Sequence, residues 1–300
     1  MRLNPCTAII SVILSTAVFF SFTCCRPEAR STAVRGPEEA MRIISAAPSN
    51  TEIIVGLGMA DRLIAVDKYS GGINGVPQGL PEIDFFFPDT EAIIGLEPDL
   101  IFVNEINSFG VANNPFTLLE RLGVTVVQVP TSVSIEGILG DIILIAETLG
   151  VNERGQALEE SMRQEITRIA ACAKPERMSV YFEISSSPTL VTFGQETYLN
   201  EMIEIAGGYN IFASERGWFS PSVEDILKRN PDIIFAMLYS GEDPVSEIKS
   251  RRAFEGISAV KENRVYAIDA DSASRPSQNI LPAFLQIAQA IKDYHRETGP

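Results

Sequence analysis

Two α/β lobes with mostly parallel sheets, joined by a long rigid helix and facing each other across a ligand cleft, are the architecture this chain predicts. Three observations carry it. The stretch EAIIGLEPDLIF at 91–102 returns in pattern as EDILKRNPDIIF at 224–235. A second echo lies upstream of each copy, TEIIVGLG at 51–58 and NEMIEIAG at 200–207. Two echoes in the same order mean two similar lobes, and between the copies the pattern turns to helix alone. Paired lobes enclose a cleft of the kind that takes small molecules.

The elements follow in order. Arg42 to Ala46 reads as a short strand, and Ser49 or Asn50 can cap a helix that runs through Ile54 to Leu57 and stops at Gly58. Leu63 to Val66 is the next strand, leading into a Gly-rich loop from Tyr69 to Leu80. Asp89 caps a helix over Thr90 to Leu96, Pro98 and Asp99 turn the chain, and Leu100 to Val103 is an apolar run of the buried parallel-strand type. Phe116 to Leu122 reads as helix and Val124 to Val129 as strand, completing a βα series and hence a mostly parallel sheet.

Ile135 to Leu149 is apolar at helical spacing and ends at Gly150. Asn152 then caps a run in which Leu158, Met162, Ile166 and Ile169 face one way and Glu159, Glu160, Arg163 and Glu165 face others. Continued to Ala173, that helix spans about 30 Å, enough to bridge two lobes. Cys172 is expected to pack beside Ile169. Pro175 stops the helix, Met178 to Ile184 opens the second series, Val265 to Ile268 closes it, and Ile280 to His295 is an amphipathic helix. The divisions are residues 41–135 for the N-terminal lobe, 136–174 for the connecting helices and 175–300 for the C-terminal lobe.

Residues 1–25 read as an export signal: Arg2, an apolar run from Ala8 to Phe22, then Thr23, Cys24 and Cys25. The run is short for a transmembrane helix. Residues 26–40 form a flexible tether. A cysteine just after the apolar core resembles a bacterial lipoprotein signal, whose new amino-terminal cysteine is acylated, here Cys25 or Cys24. With Cys6 also in the leader, Cys172 is alone in the body and no internal disulfide is available.

The chain carries 24 basic and 39 acidic side chains, a net charge of −15, which disfavours nucleic acid as a partner. The single histidine, His295, lies in the last helix, so neither a His-rich metal site nor a Ser-His-Asp or Cys-His nucleophile can be assembled. Glu52 and Glu201 recur at matching positions. That repetition suits residues of a helix start better than a catalytic pair, which needs asymmetric surroundings. The expectation is a protein with no chemistry, no metal and no cofactor of its own.

RIIS and PSNTE at 42–52, LEPDLI at 96–101, LGV at 122–124, GGYNIF at 207–212 and SRPS at 274–277 together resemble the substrate-binding proteins of ABC importers for iron-siderophore, haem and vitamin B12. The likeness spans about residues 41 to 295, with spacing most like the vitamin B12-binding members. It implies a transported ligand (cobalamin, haem or a ferric siderophore) and permease and ATPase subunits as partners, with the lipid anchor holding the protein at the membrane. It also implies that Glu91 and Glu224, one near the tip of each lobe, dock onto permease arginines. Each lies two residues after a capping residue, Asp89 or Ser222, and so projects from a helix start.

By the same resemblance Tyr69, Phe85, Trp218 and Asp271 line the ligand cleft, with Phe86, Phe87 and Phe219 widening the aromatic set. Phe85 and Asn104 stand where the vitamin-binding members carry Trp. Arg275 is a further ligand contact, of the kind siderophore-binding members aim at anionic ligands, or else a salt bridge bracing the last helix. Haem needs an axial Tyr or Met, for which Tyr69, Tyr198 and Tyr239 are candidates. A reading of a different class is a surface lipoprotein for adhesion or sensing. Neighbouring permease and ATPase genes would separate the two.

Overall fold

The computed structural model describes residues 41–85, 87–104, 116–186, 188–239, 241 and 243–298. The leader, the tether, both candidate acylated cysteines and Phe86 lie outside them. Among the described residues no helix is long and apolar enough to cross a membrane.

In the N-terminal lobe, β1 (Ile43–Ser45), β2 (Leu63–Asp67), β3 (Glu82–Ile83), β4 (Leu100–Asn104) and β5 (Thr125–Val129) form one parallel sheet in the order β3-β2-β1-β4-β5. The helices α1 (Pro48–Gly56), α2 (Thr90–Gly95) and α3 (Phe116–Arg121) connect its strands. The C-terminal lobe repeats the plan: β6 (Met178–Glu183), β8 (Gly208–Asn210), β10 (Ile233–Leu238) and β11 (Val265–Asp269) run parallel in the order β11-β10-β6-β8. Its helices are α6 (Tyr198–Ile205), α7 (Val223–Arg229), α8 (Pro244–Ser250), α9 (Ser258–Lys261) and α10 (Ala270–Ser274). A two-stranded antiparallel ribbon, β7 (Thr192–Phe193) with β9 (Trp218–Phe219), is an addition that strands of two residues give no periodicity to foresee.

The repeated Pro-Asp has a shared function. Asp99 Oδ2 accepts from Arg42 N at 2.8 Å, and Asp232 Oδ2 accepts from Ser179 N at 2.9 Å. In each lobe the aspartate ties the start of β4 or β10 to the first strand, which sets the register of the sheet. The residue before each proline, Glu97 or Asn230, has a positive φ, 48° and 43°. That turn ends the preceding helix.

Between the lobes α4 (Ile135–Thr148) and α5 (Asn152–Ala170) pack on each other, and α5 also packs on α6 and on the last helix, α11 (Leu281–Thr298). One hydrophobic cluster runs without a break from Ile43 and Phe102 through Ile142, Ile145 and Met162 to Phe182, Phe235 and Phe284. Burying each such side chain stabilises by about 1.5–3 kcal/mol.

Three local expectations are corrected. Helix α1 starts at Pro48, with Ala47 as its cap residue and no side-chain cap, because proline is pre-organised for the first helical position. Ser49 and Asn50 are therefore inside the helix. Helix α5 likewise begins with Asn152 already helical, and Val151 precedes it without a capping side chain. Cys172 lies in the turn beyond α5 and is exposed rather than packed.

Asp141 sits on the buried face of α4, where Ser132 Oγ donates to its Oδ2 at 2.6 Å. Burial pushes its carboxyl up to about 6. The folded value lies above the unfolded one, so the fold favours the protonated form and loses stability as pH rises from about 4 through 6. Asp141→Asn, neutral throughout, should melt several degrees above the parent at pH 7.5 and no higher than it at pH 4. Thermal melts at the two pH values check this.

Candidate functional site

Ligands of open parallel sheets bind beyond the carboxyl ends of the strands, where the strand order reverses. In the N-terminal lobe that point lies between β1 and β4, and a pocket of about 180 Å³ opens there, lined by Ala46, Pro48, Asp67, Tyr69, Phe85 and Asn104 among others. Asp67 closes β2. Its carboxylate accepts from Tyr69 N at 2.9 Å and from the Ser70 hydroxyl, an Asx-type turn that throws the Tyr69 ring outward, 58% exposed. Burial raises the Asp67 carboxyl above the usual range. The Lys68 ammonium lies 5.2 Å from the centre of the Tyr69 ring.

The phenylalanine run divides in two. Phe85 is only 3% exposed and stacks on Phe116 with ring centres 6.3 Å apart, so it belongs to the lobe core and closes the pocket from below. Phe87 is 86% exposed. A triplet of phenylalanines without strand or helix period gave no means of telling which was which.

The equivalent edge of the C-terminal lobe, beyond β6 and β10, holds a pocket of about 390 Å³ lined by Glu183, Ser185, Met237, Tyr239, Asp243 and Glu247 among others. Behind it Arg251 grips Glu183 with two parallel bonds of 2.7 Å and also bonds Glu247. Sequence reasoning missed this group, since the partners are far apart in the chain and share no motif. Trp218 stands on the β7–β9 ribbon, half exposed, its ring edge-on to Phe193 at 5.6 Å. Phe219 turns inward against Phe212.

A third cavity, about 750 Å³, lies between the lobes and is lined by Glu52, Gly72, Asn74, Asp271, Arg275 and Gln278 among others. Glu52 projects from α1 and is 4% exposed. Arg275 Nη1 donates to its Oε1 at 3.2 Å, the Ser277 hydroxyl donates to its Oε2, and Gln278 Nε2 donates to its backbone carbonyl at 2.8 Å. Arg275 Nη2 also donates to Asp271 Oδ1 at 2.7 Å. Burial raises the Glu52 carboxyl, and the bonds from Ser277 and Arg275 pull it partly back. Arg275 thus makes a salt bridge, as in its alternative reading, but instead of bracing the last helix it joins α1 of one lobe to the end of α10 of the other.

Glu201, the repeat partner of Glu52, makes the reciprocal connection. From α6 its Oε2 accepts from Ile135 N, the first amide of α4, at 2.7 Å. Each of the two glutamates therefore bonds outside its own lobe.

Glu91 and Glu224 are exposed in the first turns of α2 and α7. The caps are those foreseen: Asp89 accepts from the amides of Glu91 and Ala92, and Ser222 accepts from that of Asp225.

Tyr69 and Phe85 therefore share one pocket and Asp271 and Arg275 share another, while Trp218 lines none of the three cavities. Tyr198 is removed as an axial ligand: its ring is 5% exposed, its hydroxyl donates to Ala273 O at 2.8 Å, and burial raises its pKa. Among the described residues no group of three or more His, Cys, Asp or Glu side chains could hold a metal ion.

Residues 43–272 match the periplasmic binding protein family. The chain belongs to that family, the substrate-binding components of ABC importers. It is 29% identical over 261 residues to an uncharacterized ABC transporter substrate-binding lipoprotein, YvrC, of Bacillus subtilis, covering 85% of this chain and 81% of the relative. It is 30% identical over 264 residues to the vitamin B12-binding protein of Vibrio cholerae, covering 85% and 91%. Among solved structures, a possible iron-binding periplasmic solute-binding protein from Staphylococcus epidermidis superposes with a TM-score of 0.73 at 30% identity, covering 83% of this chain and 98% of that one.

Proposed function

We propose that this protein is a lipid-anchored receptor for uptake, which captures a corrinoid or an iron chelate between its lobes and presents it to a permease. The observation that carries the reading is the pair of half-exposed aromatic rings, Tyr69 and Trp218, one on each lobe. Such rings are platforms for a large flat ligand. The vitamin B12-binding relative favours the corrinoid, and the possible iron-binding neighbour keeps the iron chelate as the second reading. Acylation at Cys25 or Cys24 is supported by the leader and by the Bacillus lipoprotein relative. Glu91 and Glu224 are proposed as the permease contacts, on their matching positions and their exposure.

The test is titration of the mature protein with cobalamin, haem and a ferric siderophore, following fluorescence of Trp218, the only tryptophan. Saturable quenching by one of them at submicromolar concentration is expected. Silence with all three would leave the receptor without a ligand and favour the adhesion or sensor reading.

A further inference from the structure

The charges around the three cavities are lopsided. Glu183, Asp243 and Glu247 line the C-lobe pocket, and no Lys or Arg is among its described lining residues. In the N-lobe pocket Lys68 faces Asp67 and Asp84, and between the lobes Arg275 faces Glu52, Asp269 and Asp271.

The cations present are already engaged. Lys68 Nζ lies 2.7 Å from Asp84 Oδ2. Arg275 holds Glu52 and Asp271 at 3.2 and 2.7 Å, and its charge also reaches Asp67. Arg251, behind the C-lobe pocket, is shared by Glu183 and Glu247. The internal stretches of sequence outside the described residues, Phe86, residues 105–115, Ser187, Ser240 and Glu242, contain no Lys or Arg.

An anionic ligand could enter only in two ways. It could take a cation from its carboxylate: releasing Arg275 or Arg251 would strand Glu52 or Glu183, each 4% exposed, which is strongly unfavourable, while releasing Lys68 would return the partly exposed Asp84 to water with Asp67 still beside the ligand. Otherwise it would lie beside like charges, the device by which binding sites reject wrong partners. A ligand whose periphery is amide or hydroxamate meets neither obstacle, and a cationic one is attracted.

We infer that the cleft takes a neutral or cationic ligand and excludes chelates that carry carboxylate or catecholate charge. The inference rests on the uptake reading above and narrows it to a charge class. It also removes Arg275 as a clamp for an anionic siderophore.

Two matched pairs of probes separate charge from scaffold: cyanocobalamin against its side-chain tricarboxylic acid, and cationic ferric desferrioxamine against a trianionic ferric tris-catecholate. Calorimetric titration of the mature protein should give at least one neutral or cationic binder, with its anionic counterpart weaker by about tenfold or more. The gap should narrow at about 0.5 M salt, where the Debye length is roughly 4 Å. It should narrow again in the Asp243→Asn, Asp271→Asn double variant, which keeps an Asn cap on α8. An anionic member that binds as tightly as its counterpart overturns the charge inference and leaves the uptake reading standing. No binding by any of the four overturns the uptake reading and this inference with it.

Discussion

Cells carrying Glu91→Ala together with Glu224→Ala should show ligand uptake at background, while the isolated double variant binds ligand within about twofold of the parent, as expected for side chains that line none of the three cavities. Both side chains are exposed at helix starts and bury no apolar surface, so their removal costs the fold little. At most it forfeits a favourable helix-dipole contact worth about 0.3–1 kcal/mol each. Against a permease the cost is larger, because truncating one partner of a desolvated charge pair takes about 2–5 kcal/mol and two such pairs are lost at once. Each single variant should retain part of the uptake. Undiminished uptake by the double variant would remove these glutamates from the docking surface, and a parallel loss of ligand affinity would assign them to the fold or the cleft instead.

Arg275→Met should destabilise the protein by about 3 kcal/mol or more, the usual consequence of stripping one partner from a buried ion pair. Glu52 would keep the Ser277 hydroxyl but lose its cation in surroundings that already raise its carboxyl. The sign with pH follows. The folded pKa of Glu52 lies above its unfolded value and rises further without Arg275, so the deficit is largest at neutral and alkaline pH and fades as pH falls, because Glu52 takes up its proton before the ordinary carboxylate range is reached. Adding Glu52→Gln to Arg275→Met should restore much of the loss at neutral pH, since neither member of the pair is then left charged. Melting curves at pH 5 and pH 8 for the single and double variants decide the matter. A deficit that is the same at both pH values would mean that Arg275 acts through packing of its stem.

The fold was legible because its signals are periodic and are given twice. Leu100 to Val103 and its counterpart in β10 read as buried parallel strands from apolar runs alone, and Asp89 and Ser222 announced their helices by residue type. The site was legible only in part. The exposure of Glu91 and Glu224, though not what they contact, could be read because a cap fixes where the first helical turn begins. Phe85 could not be told from Phe87, because burial in an aperiodic loop depends on Phe116 arriving from another part of the chain. The partners of Arg275 were unreadable for the same reason: Glu52 stands in the first helix and Arg275 near the last, and nothing in local sequence reports a contact across that distance. Arg251 and Glu183 are a second such case.

The crossed glutamates have a consequence for how the protein unfolds and works. Glu52 and Glu201 each anchor outside their own half, the aliphatic interior is shared, and residues 40–300 form a single compact unit. Neither half can come loose without stranding a carboxylate and opening the common interior, so heat should melt both together in one transition. The same coupling should hold the mouth of the cleft at a nearly fixed aperture. Capture then needs no preceding hinge swing, and the effort of letting go falls on the machine that receives the cargo, which must prise apart two halves that do not part by themselves.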